Sequence, residues 1–260
     1  MENNKLTEKE YWDQYWQKYS LPLEVSKSIK NHFLIEILNT FDKYLPSDNT
    51  LSILEIGGSP GQYLAYMHKT FGYEISCLDF SSIGCTKTLE NFNLLNIKGK
   101  VYQIDLFSED LNLPLFDIVY SLGFIEHFSD INLVIEKHLN LIKPGGILVL
   151  GVPNFLGVNH FFLKRLAPQL LSKHNLSVMD LNNWSFFEKK FNLQTIFKGY
   201  VGGFQPSNFN RCEKMTVINF LLLTLARLFV FIFKKRFKGL RKFNSKYISG
   251  YMVGFYKKPI

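Results

Sequence analysis

Cysteine is scarce in this chain: 260 residues contain three, Cys77, Cys85 and Cys212. They form no CxxC pair and show no metal-ligand spacing. That argues against a zinc ribbon or a disulfide framework, and reduced thiols in a cytosolic protein are the expectation. The opening MENNKLTEKEYWDQYW is polar and acidic, without the apolar stretch of a secretory signal. Acidic side chains nearly vanish at the other end. Residues 211–260 carry Glu213 alone against 12 of the 30 Lys and Arg, so the net charge of +8 is concentrated there. A local excess of this kind suits an anionic surface, lipid or nucleic acid. An uninterrupted membrane span is also missing. Residues 216–233 form an 18-residue, nearly apolar run that contains Asn219 and Arg227. A spanning helix needs about 20 apolar residues and resists a central Arg. No internal repeat or low-complexity tract is seen. The abundant class is apolar, 47% of residues. That is enough for a sizeable core in one large domain, or in one domain with an elaborate insertion.

Hydrophobic spacing predicts helices over 6–20 and 26–44, the second with Ile29, Phe33, Ile37 and Phe41 on one face. After PSDN the pattern changes. LSILEI, YEISCLD, KVYQID, FDIVYSLG and GGILVLGVP read as strands; GQYLAYMHKTF, residues 82–95 and SDINLVIEKHLNLI read as helices. Short apolar strands alternating with amphipathic helices predict an α/β fold, a mostly parallel sheet with helices on both faces. Beyond Pro153 the regularity falls. A loop and a short helix are expected over 155–175, then a helix in DLNNWSFFEKKF capped by Asp180. LQTIFKGYV reads as a sixth strand and YISGYMVGFYKK as a seventh. The chain divides into a helical cap (1–50), a core (51–204), an apolar and basic helical insertion (205–247) and the core's final strand (248–260).

The glycine-rich turn LEIGGSPGQYL, residues 54–64, joins the first strand to a helix. It is not a dinucleotide fingerprint. Counted from Gly57, the second and third glycines of GxGxxG fall on Ser59 and Gln62; counted from Gly58, the second falls on Pro60. Nor is it a Walker A loop, because no Gly-Lys-Ser/Thr follows. Glu55 at the strand end, before Gly57, Gly58 and Gly61, disfavours a pyrophosphate and suits a ligand with an ammonium or sulfonium charge. Asp79 ends the second strand, where a carboxylate can accept from both ribose hydroxyls. Phe80 either packs on an adenine face or fills the core. Asp105 ends the third strand, in reach of an exocyclic amino group. These groups stand at the carboxyl ends of adjacent strands, where open parallel sheets bind ligands.

In order and spacing, five segments resemble the motifs of class I S-adenosylmethionine-dependent methyltransferases: LEIGGSPGQYL, CLDFS, YQIDLF, FDIVYSLGFIEHFSD and LIKPGGILVLGVPN. The resemblance implies a Rossmann-like, seven-stranded methyltransferase fold whose last strand is antiparallel, with S-adenosyl-L-methionine as cofactor. It implies that the backbone around Gly57, Gly58, Ser59 and Gly61 holds the methionine moiety and that Asp79 holds the ribose. Asp105 with Leu106 would border the adenine, and Ser121 and Leu122 would lie beneath the sulfonium. Ser59 departs from the family, in which a glycine is usual. Glu126, His127 and Phe128 are similar to the quinone-type branch and to small-molecule O-methyltransferases.

A hydroxyl acceptor needs a base within hydrogen-bond reach. His127, just after the fourth strand, is the first candidate and His160 the second; the alternative for His127 is a brace for the following helix. Asn154, Phe155, Phe161 and Phe162 line an acceptor pocket or pack a surface loop. Some quinone-pathway relatives hold a divalent metal through an ExxEH stretch. Here Gly123 replaces the first carboxylate and leaves Glu126 and His127, so no required metal is expected. The aromatic residues of EYWDQYWQKYS either fold over the cofactor as a lid or pack on the domain. Nucleic acid is not expected as a partner. YSLGF stands where enzymes that methylate nucleic-acid amino groups have Asn/Asp-Pro-Pro-aromatic, and the basic residues are not interleaved with aromatics near the site. The resemblance puts the connection between the last two strands on the active-site side. Its apolar run, followed by Lys234, Lys235, Arg236, Lys238, Arg241 and Lys242, reads in two ways. It is an interfacial helix for anionic lipid through residues 216–246, or a buried or dimer-forming helix with a solvated charge run. The expected function is O-methylation of a small-molecule, glycan or lipid-linked acceptor in bacterial cell-envelope or surface-polysaccharide biosynthesis, by a cytoplasmic protein peripheral on the membrane. The alternatives are methylation of a quinone-like lipid and a non-catalytic, membrane-associated cofactor-binding protein.

Overall fold

The computed structural model describes residues 4–29, 31–204, 216–236 and 243–260. Helices α1 (Lys9–Gln17) and α2 (His32–Tyr44) precede β1 (Ser52–Ile56), α3 (Gln62–Phe71), β2 (Glu74–Asp79), α4 (Ser82–Leu94), β3 (Gly99–Gln103), β4 (Phe116–Leu122), α5 (Ile131–Leu139) and β5 (Ile142–Pro153). There follow α6 (Val158–Leu166), α7 (Pro168–Ser172), α8 (Ser185–Lys190), β6 (Gln194–Val201), α9 (Val217–Arg236) and β7 (Tyr251–Lys257). The strands form one sheet in the order β3-β2-β1-β4-β5-β7-β6. Pairs among β1 to β5 are parallel, and β7 is antiparallel to both β5 and β6. This is the Rossmann-like, seven-stranded fold that the motifs imply.

The strands are apolar on both sides because both sheet faces are covered. Side-chain alternation divides them between two cores. Ile53, Tyr120, Val149 and Phe255 join Phe41 and Leu64 in one; Leu54, Val119, Leu148 and Tyr256 join Val134, Leu139 and Trp184 in the other. The strand order turns back beside β1, with β2 on one side and β4 on the other. That reversal opens a crevice at the carboxyl ends of the strands.

Helix starts follow the capping residues. Asn31, Ser81 and Asp130 accept from the amides of Leu34, Gly84 and Leu133 and fix the starts of α2, α4 and α5. The first two helices are shorter than hydrophobic spacing predicts: the Asn31 cap sets the start of α2, and α1 begins at Lys9 without a side-chain cap. The helix expected to begin at Asp180 begins at Ser185. The Asp180 carboxylate instead accepts from the Asn182 amide at 3.0 Å, an Asx turn that spends the cap before the helix starts. Residues 155–175 hold two helices, α6 and α7. Cys212, Lys238, Arg241 and Lys242 lie outside the described residues, as do the side chains of Lys234, Lys235 and Arg236.

Candidate active site

The turn after β1 is built on glycine because the chain passes close to its neighbours. Gly57 has φ +68°, and a Cβ there would lie 2.5 Å from the Phe124 ring. At Gly58 a Cβ would meet the Glu55 side chain at 2.2 Å. Glu55 is thus packed beneath the turn, 3% exposed, and its Oε2 has no hydrogen-bond partner. Burial pushes its pKa up to about 8. Gly61 leads directly into α3. Ser59 turns its hydroxyl inward and accepts from the Thr88 hydroxyl at 3.3 Å.

At the end of β2 the buried Asp79 carboxylate accepts from the Ser81 amide at 2.9 Å. Burial raises its pKa, and the Ser81 amide opposes the shift. Asp79, Phe80, Asp105 and Leu106 border one narrow cavity of about 40 Å³, with Gly57 in its wall. The N-terminal segment crosses it. The Lys5 ammonium pairs with the Asp105 carboxylate and lies 4.9 Å from the Phe80 ring centroid. The Leu6 amide donates to the His127 carbonyl at 2.8 Å. Lys5 and Thr7 thus form part of the cavity's wall, beside Asp79 and Asp105.

A second chamber of about 270 Å³ adjoins the first and shares Trp12, Trp16, Gly57, Gly123 and His127 with it. The aromatic face of α1 therefore packs on the domain by covering this crevice. Tyr63, Leu122, Glu126, Phe155, His174 and Tyr251 also line the chamber. Ser121 does not, because alternation along β4 sends its hydroxyl into the core, 3.0 Å from His138 Nε2. His160, on α6, lines neither cavity. Asn154 closes the fold: its amide donates to the carbonyls of Lys246 and Ser249, at 3.0 and 2.9 Å. Phe161 is 64% exposed.

His174 was not singled out in the sequence, yet its ring stands 4.4 Å from that of His127, centroid to centroid. It follows α7 in an aperiodic stretch, and the rarity of histidine (six in the chain) was the only available signal. Burial, and then His174, lower the His127 pKa to about 3. Burial pushes Glu126 up to about 8. Burial thus favours the uncharged form of both side chains.

A sequence model described as a methyltransferase domain matches residues 27–198. The chain belongs to the class I S-adenosylmethionine-dependent methyltransferases. The site fits this family's cofactor, S-adenosylmethionine. Asp79 stands in the cavity wall beside Phe80, Asp105 and Gly57, and the Oε2 of Glu55, buried behind the glycine turn, is a polar atom without a hydrogen-bond partner. Three solved structures share the fold. Geranyl diphosphate C-methyltransferase of Streptomyces coelicolor, solved with Mg2+, geranyl diphosphate and S-adenosyl-L-homocysteine, is 10% identical. It has a TM-score of 0.60, over 96% of this chain and 98% of that one. YjhP of E. coli is 13% identical over 93% and 96%, with a TM-score of 0.58. Phosphoethanolamine N-methyltransferase 2 of Haemonchus contortus, solved with S-adenosyl-L-methionine, is 14% identical over 86% and 52%, with a TM-score of 0.56. These identities establish the fold and not the acceptor. No curated protein matches the chain.

In this methyltransferase, Asp79→Ala is expected to weaken S-adenosylmethionine binding by about 1–3 kcal/mol, roughly 5- to 150-fold in Kd, the scale of a lost charged hydrogen bond. Calorimetry on the folded variant measures it. Unchanged affinity would remove Asp79 from the ribose site.

Proposed function

We propose that this methyltransferase acts on a hydroxyl oxygen of a small-molecule, glycan or lipid-linked acceptor of the cell-envelope or surface-polysaccharide kind, on the cytoplasmic face of an anionic membrane. The observation that carries the reading is the second chamber, which meets the cofactor cavity at His127. S-adenosylmethionine supplies an electrophilic methyl group when bound. Glu55, Gly57, Gly58, Ser59 and Gly61 form the methionine end of its site, Asp79 takes the ribose, and Phe80, Asp105 and Leu106 take the adenine. Leu122 lies under the reacting end, and Ser121 fixes the end of β4 through His138. His127 faces the acceptor with a lone pair that burial keeps unprotonated, so it can accept the hydroxyl hydrogen. His160 takes no part in the chamber. Trp12, Tyr63, Phe155 and Tyr251 wall the chamber and limit water. Transfer of a labelled methyl group to a panel of hydroxyl, amine and carbon acceptors, soluble and lipid-linked, is the test. The expected product is a methyl ether; transfer to amines alone would overturn the reading.

Helix α9 supports the membrane part of the proposal. Val217, Leu221, Leu225, Leu228 and Phe231 are each at least half exposed, whereas Leu223 and Ala226 are buried. Among the described residues no helix is long and apolar enough to cross a membrane. An exposed apolar helix, followed in sequence by six basic residues between Lys234 and Lys242, complements an anionic bilayer surface. The protein is expected to sediment with anionic vesicles and not with neutral ones. Each basic residue near such a surface contributes about 1 kcal/mol. Salt at about 0.15 M, with a Debye length of about 8 Å, should weaken the association without abolishing it. Replacing Lys234, Lys235 and Arg236 by Ser should release the protein and leave cofactor binding intact. Wild-type protein that ignores anionic vesicles at low salt, or that buries α9 in a dimer, would overturn the membrane assignment.

A further inference from the structure

We propose that Glu126, His127 and His174 bind a divalent transition-metal ion of the zinc or manganese class, with its remaining coordination positions open to the acceptor chamber. One candidate donor atom from each side chain lies within 4.8 Å of the other two. His127 Nε2 and Glu126 Oε1 are 3.9 Å apart. Donors held at about 2.0–2.2 Å from one ion stand roughly 3–4 Å from each other, so small side-chain rotations complete the set.

The ligands come from two segments that are tied together. The Asn175 amide donates to the Glu126 carbonyl at 2.6 Å, and Asn175 Nδ2 donates to the Phe128 carbonyl at 3.0 Å. These bonds hold His174 against the turn that carries Glu126 and His127. His174 Nδ1 is 2.6 Å from the Leu170 carbonyl. A nitrogen in that position carries the proton, which puts the lone pair on Nε2. Metal-bound histidines are oriented in the same way, by a hydrogen bond from the other nitrogen.

A second observation points to a ligand here. Glu126 is 1% exposed and His127 7% exposed, and both line the chamber. Glu126 Oε2 has no hydrogen-bond partner. A buried polar atom left in that state needs a reason, and an ion coordinated by a carboxylate and imidazoles is one. Two imidazoles and one carboxylate favour zinc or manganese over magnesium or calcium, which prefer all-oxygen sites. Three protein ligands leave room for an acceptor oxygen.

The inference rests on the hydroxyl-acceptor reading and deepens it. A hydroxyl bound to such an ion ionises more readily. The O–H bond breaks and its proton passes to water. The oxygen pair then forms the bond to the methyl carbon, and sulfur keeps the electrons of the broken C–S bond. This replaces the proton-accepting role proposed for His127: the same lone pair serves as a ligand, and the proton leaves to water.

The test uses the full chain freed of metal by chelation and dialysis, without cofactor. Zn2+ and Mn2+ are titrated separately by calorimetry, and bound Mn2+ is followed by electron paramagnetic resonance. One ion per chain is expected, with magnesium a poor competitor. His174→Ala and the near-isosteric Glu126→Gln, each shown to be folded by its melting curve, should each weaken binding by more than about tenfold. No saturation at millimolar metal, or equal binding by wild type and both variants, would overturn the site. Methyl-ether formation that survives complete metal removal would overturn its role while leaving the hydroxyl reading intact. Saturable, variant-sensitive ion binding in a protein that methylates only amines would support the site and sink the hydroxyl reading.

Discussion

Glu55→Gln is expected to make the protein more stable at neutral pH and poorer at holding its cofactor. Glu55 is buried behind the glycine turn, and burial pushes its pKa from 4.5 to about 8. Below the lower value the carboxyl is protonated in both folded and unfolded chains, and burial carries no titration cost. As pH rises past it, the unfolded chain releases the proton while the folded chain retains it. Stability is therefore lost progressively until the folded-state pKa is reached. At about 1.36 kcal/mol per pKa unit the loss by pH 7 is about 3 kcal/mol. Glutamine does not titrate and escapes this loss. Denaturant unfolding should show the variant more stable by up to about 3 kcal/mol at pH 7, with the advantage gone near pH 4. Equal pH dependence in the two proteins would mean that Glu55 is ionised in the fold. The functional side has the opposite sign. A ligand ammonium at the turn would ionise Glu55, and glutamine has no charge to offer, so calorimetry should show weaker S-adenosylmethionine binding. A residue that lowers stability and raises affinity is the usual signature of a functional position.

The strand-end cluster proposed to hold the cofactor was legible in the sequence because chain order fixes where it lies. Asp79 and Asp105 follow successive strands of a parallel sheet, and any such sheet brings those strand ends to one edge. Phe80 and Leu106 follow with them. The acceptor side was less legible, for identifiable reasons. Ser121 and Leu122 are consecutive, and alternation sends only one of them to the chamber; choosing between them needs the register of β4 against β5, which hydropathy does not give. His160 and His174 both lie in an aperiodic stretch. The break between α6 and α7 at Ala167 and Pro168 decides their fates, leaving His160 outside the chamber and bringing His174 onto His127. Of the three groups proposed to hold an ion, two stand in GFIEH, and the third depends on a direction of chain that no local pattern encodes. Lys5 is a similar case: nothing in its neighbours signals that its ammonium reaches Asp105, 100 residues away. For α9 the apolar composition was plain, and the exposure of most of its length was not.

His127→Ala is expected to lower turnover by roughly 10²–10⁴-fold, the range for losing a group that handles a proton in the transition state. Cofactor affinity should change far less. The ring stands where the two cavities meet, 4.9 Å from the Trp12 ring and 4.4 Å from that of His174, centroid to centroid. Its pKa of about 3 keeps it neutral wherever the protein works, so an acid limb of the rate profile near the ordinary histidine pKa should not come from this residue. A loss of this size is expected whether the lone pair receives the hydroxyl hydrogen or holds the ion that acidifies the hydroxyl. What it excludes is a brace for the following turn. Turnover and KM must be measured separately: a rise in KM alone would make His127 a wall of the acceptor chamber, and unchanged turnover would remove it from the chemistry. Truncation also leaves a cavity, so a volume control is needed. His127→Leu fills most of the space and packs against Trp12 but offers no lone pair. It should be as slow as the alanine variant while melting closer to wild type. Recovery of turnover by leucine would show that the ring matters for packing, and the proton-handling role would fall with it.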